Sequence, residues 1–235
     1  MIVYGKNVAR ELLENDQKIT KAYIYDKFDD KKTINLLRKQ NVTLEFCSKK
    51  ELDTIAKGKH QGIILSIPDY DFVPLEELLE NVTDKSFIIL LDHLEDPHNL
   101  GAIIRTCEAA GVDGVIIPKN RSVGINSTVM KVSAGALSNI KVCSITNLSN
   151  AIKKLKDKGF WIIGTEMDAS HSYMDIDYNM PICLIIGNEG FGMSRIVSEA
   201  CDYTVSIPMH GKINSLNASV AAGIIIYGVL EKRRK

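Results

Sequence analysis

The sequence has no surplus of either charge: 29 lysines and arginines stand against 29 aspartates and glutamates. A bulk electrostatic argument for nucleic acid is therefore excluded, and any RNA-binding face has to be local. An uninterrupted apolar run of the roughly 18 residues that a membrane span needs is also missing. The opening MIVYGKNVARELLEND has no apolar core of signal-peptide length. These absences predict a cytoplasmic protein with no membrane partner. Cysteine is sparse, and no C-x-x-C pair occurs among Cys47, Cys107, Cys143, Cys183 and Cys201. Odd in number, widely spaced and set among apolar neighbours, they read as buried reduced thiols and not as a disulfide framework, metal site or redox pair. What is there is ordinary globular material, 45% apolar and 25% charged over 235 residues, enough for one large or two smaller domains.

Residues 1–68 alternate helix and strand signals on a short pitch. Helical spacing runs over 7–14, 31–40 and 49–56, and strand patterns over 21–25, 42–47 and 62–67, the last ended by Pro68. This predicts a small α/β domain whose surface carries Lys6, Lys18, Lys21, Lys49, Lys50, Lys57 and Lys59. From charge alone those lysines read as a solvated face. Residues 69–84, DYDFVPLEELLENVTD, hold six acidic residues and no basic one. They are expected to form a linker with one short helix, placing a domain boundary there.

From Lys85 onward, continuous apolar runs alternate with helical patterns to the end. Runs this apolar are buried on both faces, which with intervening helices implies a parallel sheet. In such a sheet ligands bind beyond the carboxyl ends of the strands. Three polar clusters follow predicted strands there: DHLEDPHNLGAIIRT after 87–91, GNEGFGMSR after 182–186, and PMHGKINSLN after 203–207. In the first, Asn99 precedes a predicted helix from Leu100 to Ala110, Gly101 permits a close approach, and Arg105 follows six residues later. Spacing alone leaves two readings, a helix cap with a surface arginine or a functional pair. Asp92, His93 and His98 invite a metal reading, but the ligands are not spaced convincingly and a solvated loop is the reading preferred. The second cluster, glycine-rich around Glu189, suits a flat ligand that meets backbone, yet matches neither G-x-G-x-x-G nor a phosphate loop with its lysine; a hairpin-like turn is the alternative. In the third, Ser215 and Asn217 are good caps for a long apolar helix from Ala218 to Leu230, which must be buried on most sides.

NLGAIIRT, IIGNEGFGMS and IPMHGKINSLNASVAAGI, in this order, closely resemble the three motifs of the SpoU (TrmH) family of RNA ribose 2′-O-methyltransferases. The resemblance covers residues 85–235, and VYGKNVARELL extends it through residues 1–68. It implies an α/β fold: a C-terminal parallel-sheet domain (85–235) with a trefoil knot, plus a small N-terminal domain (1–68) of the L30e/L7Ae kind that binds RNA. It is most like the RlmB-like branch, which methylates a guanosine of large-subunit (23S) ribosomal RNA. The implied cofactor is S-adenosyl-L-methionine, the implied partners are large-subunit rRNA and a second copy of the chain through the knot helices, and no metal is implied. Position by position, Asn99, Arg105, Glu189, Ser215 and Asn217 become catalytic-centre residues. Gly187, Ile207 and Leu216 become cofactor-binding backbone, with Gly164 and Thr165 on a neighbouring loop.

The chemistry fits these assignments. Methyl transfer from a sulfonium is an in-line displacement, so the enzyme has to position a ribose and remove its 2′-hydroxyl proton. Arg105 either takes that proton itself or clamps a phosphate and stabilises the forming alkoxide while another acceptor removes it, since guanidinium is protonated in nearly all settings. Other readings stay open: a tRNA or antibiotic-resistance rRNA methyltransferase of the same family, and a non-catalytic RNA-binding protein on the same scaffold.

Overall fold

In the computed structural model, which describes residues 1–188 and 190–234, the chain divides into two units, Met1–Asp71 and Phe72–Lys235. In the first, strands β1 (Ile2–Tyr4), β2 (Lys21–Tyr25), β3 (Thr43–Cys47) and β4 (Ile63–Ser66) alternate with helices α1 (Lys6–Glu14), α2 (Lys31–Lys39) and α3 (Lys49–Ile55). The sheet order is β1-β4-β2-β3, with β4 antiparallel to both its neighbours and β2 parallel to β3. Strand β1 is three residues long, too short for its alternation to be read from sequence. Helix α1 begins after Gly5, which has no side chain to cap it. Gln61, distant in sequence, does so: its Oε1 accepts the Lys6 backbone N–H at 2.9 Å. Helix α3 has its own capping box, Ser48 with Glu51.

In the second unit the acidic stretch is not a free linker. Its helix α4 (Leu75–Leu78) buries Leu75 and Leu78, with Leu79 beside them, in the core of Phe72–Lys235. The apolar spacing inside the acidic run decides the outcome: acidic side chains face water while the leucines pack. Then follow β5 (Phe87–Leu91), α5 (Pro97–Ala109), β6 (Gly114–Pro118), α6 (Ser127–Ser133), β7 (Lys141–Ile145), α7 (Leu148–Asp157), β8 (Trp161–Thr165), β9 (His171–Ser172), β10 (Ile182–Ile186), α8 (Arg195–Glu199), β11 (Tyr203–Ser206) and α9 (Ala218–Arg233).

The seven strands lie in the order β7-β6-β5-β10-β8-β11-β9, every paired neighbour parallel. Strand β10 returns to lie between β5 and β8, so the winding reverses at the β5–β10 boundary. One face packs against α4, α7 and α8 through Leu155, Val197, Leu90 and Ile185. On the other, α5 packs against α6 and α9. Gly101 sits in the α5–α6 contact: a Cβ there would lie 2.7 Å from the Val132 Cβ, so this glycine serves helix packing and not ligand approach.

Helix α9 is anchored at both ends. Asn217 caps it, its side chain accepting the N–H groups of Ser219 and Val220 at 3.0 and 3.4 Å, whereas Ser215 stays in the preceding loop. At the far end the Arg233 guanidinium donates to the carbonyls of Tyr178, Lys85 and Met180 at 2.9, 2.6 and 2.8 Å and lies 5.4 Å from the Phe87 ring centroid. All five cysteines are free, and all but Cys201 are buried. Burial pushes the Cys143 and Cys201 thiols up, to about 11 and about 12, which makes them poor nucleophiles.

Candidate active site

The ends of β8, β10 and β11 and the start of α9 enclose a crevice of about 380 Å³. Each wall has a structural reason. From β10, the segment Gly187–Gly192 folds back on itself: the Asn188 N–H donates to the Gly192 carbonyl and the Gly192 N–H to the Asn188 carbonyl, both at 2.9 Å. The hairpin-like turn is thus real, and it is also part of the crevice. A side chain at Gly187 would meet the Gly192 carbonyl carbon at 2.5 Å and the Met193 nitrogen at 2.6 Å, backbone atoms that cannot yield. Asn188 fixes the turn from within, its Oδ1 accepting from the Gly190 N–H at 2.7 Å while its Nδ2 donates to the His93 carbonyl at 2.8 Å.

Fully buried Asp92, at the end of β5, accepts the Ser194 N–H at 2.7 Å and holds the His93 ring. It therefore ties the β5 end to the segment leading into α8. Among the described residues no group of three His, Cys, Asp or Glu side chains converges as a metal site would.

Of the sequence-assigned residues, Thr165, Gly187, Ile207, Ser215 and Leu216 line the crevice. Gly164 and Thr165 are not on a loop: they are the last residues of β8, extended by parallel pairing with β11. Gly164 is not among the residues that line the crevice; a Cβ there would crowd the side chains of Met193, which does line it, and of Cys201. Asn99 does not precede its helix. Helix α5 starts two residues earlier, at Pro97, because Asp96-Pro97 supplies both a cap, accepting the His98 N–H at 3.0 Å, and the residue best suited to a first turn. Asn99 is buried in that turn, while Arg105 is exposed on the same helix. Six residues at helical pitch put them about 120° apart around the axis. Asn99, Arg105 and Asn217 lie outside the lining of this crevice, and Glu189 falls outside the described residues. Sequence reasoning placed Asp92 in a solvated loop, whereas it is buried, and missed Asn188; the roles of both depend on partners about a hundred residues away, and Phe191, which borders the crevice, was missed as well.

A crevice at the carboxyl ends of parallel strands, beside a reversal of winding and walled by glycine backbone, apolar side chains and polar groups that include Glu166, Asp168 and Asn214, suits a ligand of nucleoside type. The sequence matches the SpoU rRNA Methylase family over residues 86–227 and the RNA 2′-O ribose methyltransferase substrate binding family over residues 2–73. The chain belongs to the SpoU methylase family and is an RNA methyltransferase that uses S-adenosylmethionine. Among its relatives is a Bacillus subtilis protein named as a TrmH family tRNA/rRNA methyltransferase, YacO, 42% identical over 98% of this chain and 95% of the relative. The SpoU methyltransferase AviRb of Streptomyces viridochromogenes, solved in complex with AdoMet, superposes with a TM-score of 0.77 over 100% of this chain and 90% of its own, at 24% identity. A TrmH/SpoU tRNA modifying enzyme of A. aeolicus gives 0.59 at 32% identity, over 68% of this chain and 81% of that one.

Proposed function

We propose that this chain transfers a methyl group to a ribose 2′-oxygen of large-subunit ribosomal RNA, at a guanosine, in the cytoplasm. The observation that carries the reading is that five of the assigned residues, Thr165, Gly187, Ile207, Ser215 and Leu216, meet in one crevice at the strand ends. The crevice fits the cofactor: Gly187, Gly190 and Gly192 line it without side chains and its volume lies in the range of small-molecule sites. Bound there, S-adenosylmethionine supplies an electrophilic methyl. Thr165, Gly187, Ile207 and Leu216 hold it, with Gly164 keeping β8 close to the Met193 segment.

The remaining chemistry falls to side chains nearby. Arg105, exposed on α5, either takes the 2′-hydroxyl proton itself or clamps an RNA phosphate and stabilises the forming alkoxide while another acceptor removes the proton; Glu189 orients Asn99 and Arg105, and Ser215 and Asn217 hold the substrate or its neighbouring phosphate. The N-terminal unit, which matches the substrate-binding family, is read as an RNA-binding domain of the L30e kind. The 207–217 segment and α9 are read as the portion threaded through a trefoil knot. Helix α9 carries an exposed apolar stripe, Val220, Gly223, Ile224 and Tyr227, with Val220 and Tyr227 half exposed and no atom near a Cβ at Gly223. That stripe is read as the homodimer contact.

The test is direct. Purified protein with labelled S-adenosylmethionine is given unmodified large-subunit rRNA and, separately, unmodified tRNA, and products are mapped by mass spectrometry. One 2′-O-methylguanosine in the rRNA is expected; methyl transfer to tRNA alone would reassign the substrate.

A further inference from the structure

Phe191 is the most exposed large apolar side chain, 94% open to water, and it borders the cofactor crevice. Leaving a phenylalanine in water forfeits the burial that places such residues inside. Its backbone, however, is fixed: the Phe191 N–H donates to the Asn188 Oδ1 at 3.4 Å, next to the stronger bond from Gly190, and the turn closes through the Asn188–Gly192 pair. A hydrogen-bonded backbone that holds an uncovered ring at a ligand site has the form of a binding surface. Around the same mouth lie Met167, Met209 and Leu216, each partly exposed and each lining the crevice. They give the mouth an apolar patch around the ring, beside the exposed polar Asp168, Asn214 and Ser215.

We propose that Phe191 stacks on a base of the RNA, at the target nucleotide or its neighbour, and so holds the acceptor ribose at the crevice mouth. This rests on the RNA-methylation reading above. The acceptor oxygen belongs to a sugar, and a ribose reaches a recessed crevice only if its nucleotide leaves the surrounding stack. An unstacked base needs a new π-face, and single-stranded RNA is commonly held on aromatic side chains. At 94% exposure the ring has room for a base against its face.

The experiment compares full-length wild type with Phe191→Ala, Phe191→Leu, Phe191→Tyr and Phe191→Trp, using unmodified rRNA and tRNA transcripts as probes. Stacking on one base predicts a roughly 5- to 100-fold rise in KM for RNA in Phe191→Ala. S-adenosylmethionine affinity should stay within twofold and the molecular mass should not change. Leucine should not rescue, whereas tyrosine and tryptophan should return KM to within about threefold, and the added tryptophan fluorescence should be quenched by RNA but not by the cofactor. Equal KM in wild type and Phe191→Ala overturns the proposal. So does a loss of cofactor affinity with RNA KM unchanged, which would make the ring a cofactor lid, or a drop to half the mass, which would make it a subunit contact. If wild type methylates neither RNA, the underlying reading falls and takes this one with it; if wild type is active and the alanine variant behaves normally, only the stacking falls.

Discussion

Gly187 shows how little room the crevice leaves for variation. Because a Cβ would strike the backbone of Gly192 and Met193 at 2.5–2.6 Å, Gly187→Ala has to push the 188–192 turn away from β10. Calorimetric titration should register at least a tenfold loss of S-adenosylmethionine affinity, with the melting temperature lowered by a few degrees; unchanged affinity would remove Gly187 from the cofactor wall. Arg105 predicts the opposite pattern. It lies outside the lining and is exposed, so Arg105→Ala should abolish methyl transfer while cofactor affinity stays within a few-fold. Normal turnover in that variant would exclude Arg105 from the chemistry. In the N-terminal unit the Arg10 guanidinium, 2.6 Å from Asp30, and the Thr33 N–H hold the Asp30 carboxyl down to about 2. The carboxylate makes these bonds only when ionised. Their contribution is complete above about pH 4 and is lost as pH falls toward 2, and Asp30→Asn should flatten the acid limb of an unfolding curve.

At the scale of elements, the two helices that carry the assigned Asn99, Arg105 and Asn217 start for reasons of different legibility. Asn217 before an apolar run is a local signal, and Asn217 does cap α9. Its two roles can be separated: Asn217→Ser keeps a capping oxygen, while Asn217→Ala loses it and should cost about 1 kcal/mol in urea unfolding. If both variants lose methyl transfer but only alanine loses stability, the side chain has a task beyond the cap. The start of α5 was equally local, in Asp96-Pro97, yet the motif-like Asn99 drew the boundary three residues late, at Leu100. The strands β5 and β10, buried at every position, could be read from composition because a run that is apolar on both faces has few other fates. By contrast β9, two residues long, exists only because β11 offers an edge. Strand order was beyond local reading as well: nothing within 182–186 says that β10 inserts between β5 and β8, a choice made by packing across the whole sheet. The same holds for Asp92 and Asn188, whose partners are set by that insertion.

For the whole molecule, the question is how a chain with no net charge recognises a polyanion. The lysines of the N-terminal unit are not equivalent. Lys6 and Lys21 are spent on Asp29 and Glu45, at 2.8 and 2.6 Å, whereas Lys49, Lys50, Lys57 and Lys59 are exposed around α3. Phosphate contacts by such lysines release counterions, so each one adds close to one unit of slope to the dependence of affinity on salt. Both units have cores of their own, Leu52 and Ile64 with their neighbours in the first and the α4–α7–α8 face in the second, so removing residues 1–71 should leave a folded remainder that still binds S-adenosylmethionine. RNA affinity should drop at least tenfold and its salt slope should fall by several units. Replacing Lys49, Lys50, Lys57 and Lys59 together with glutamine in the full-length chain should reproduce most of that slope change with the melting temperature unaltered. RNA binding by the truncated protein equal to wild type, with the same slope, would place the recognition surface entirely on the catalytic unit and leave the N-terminal lysines as a solvated face.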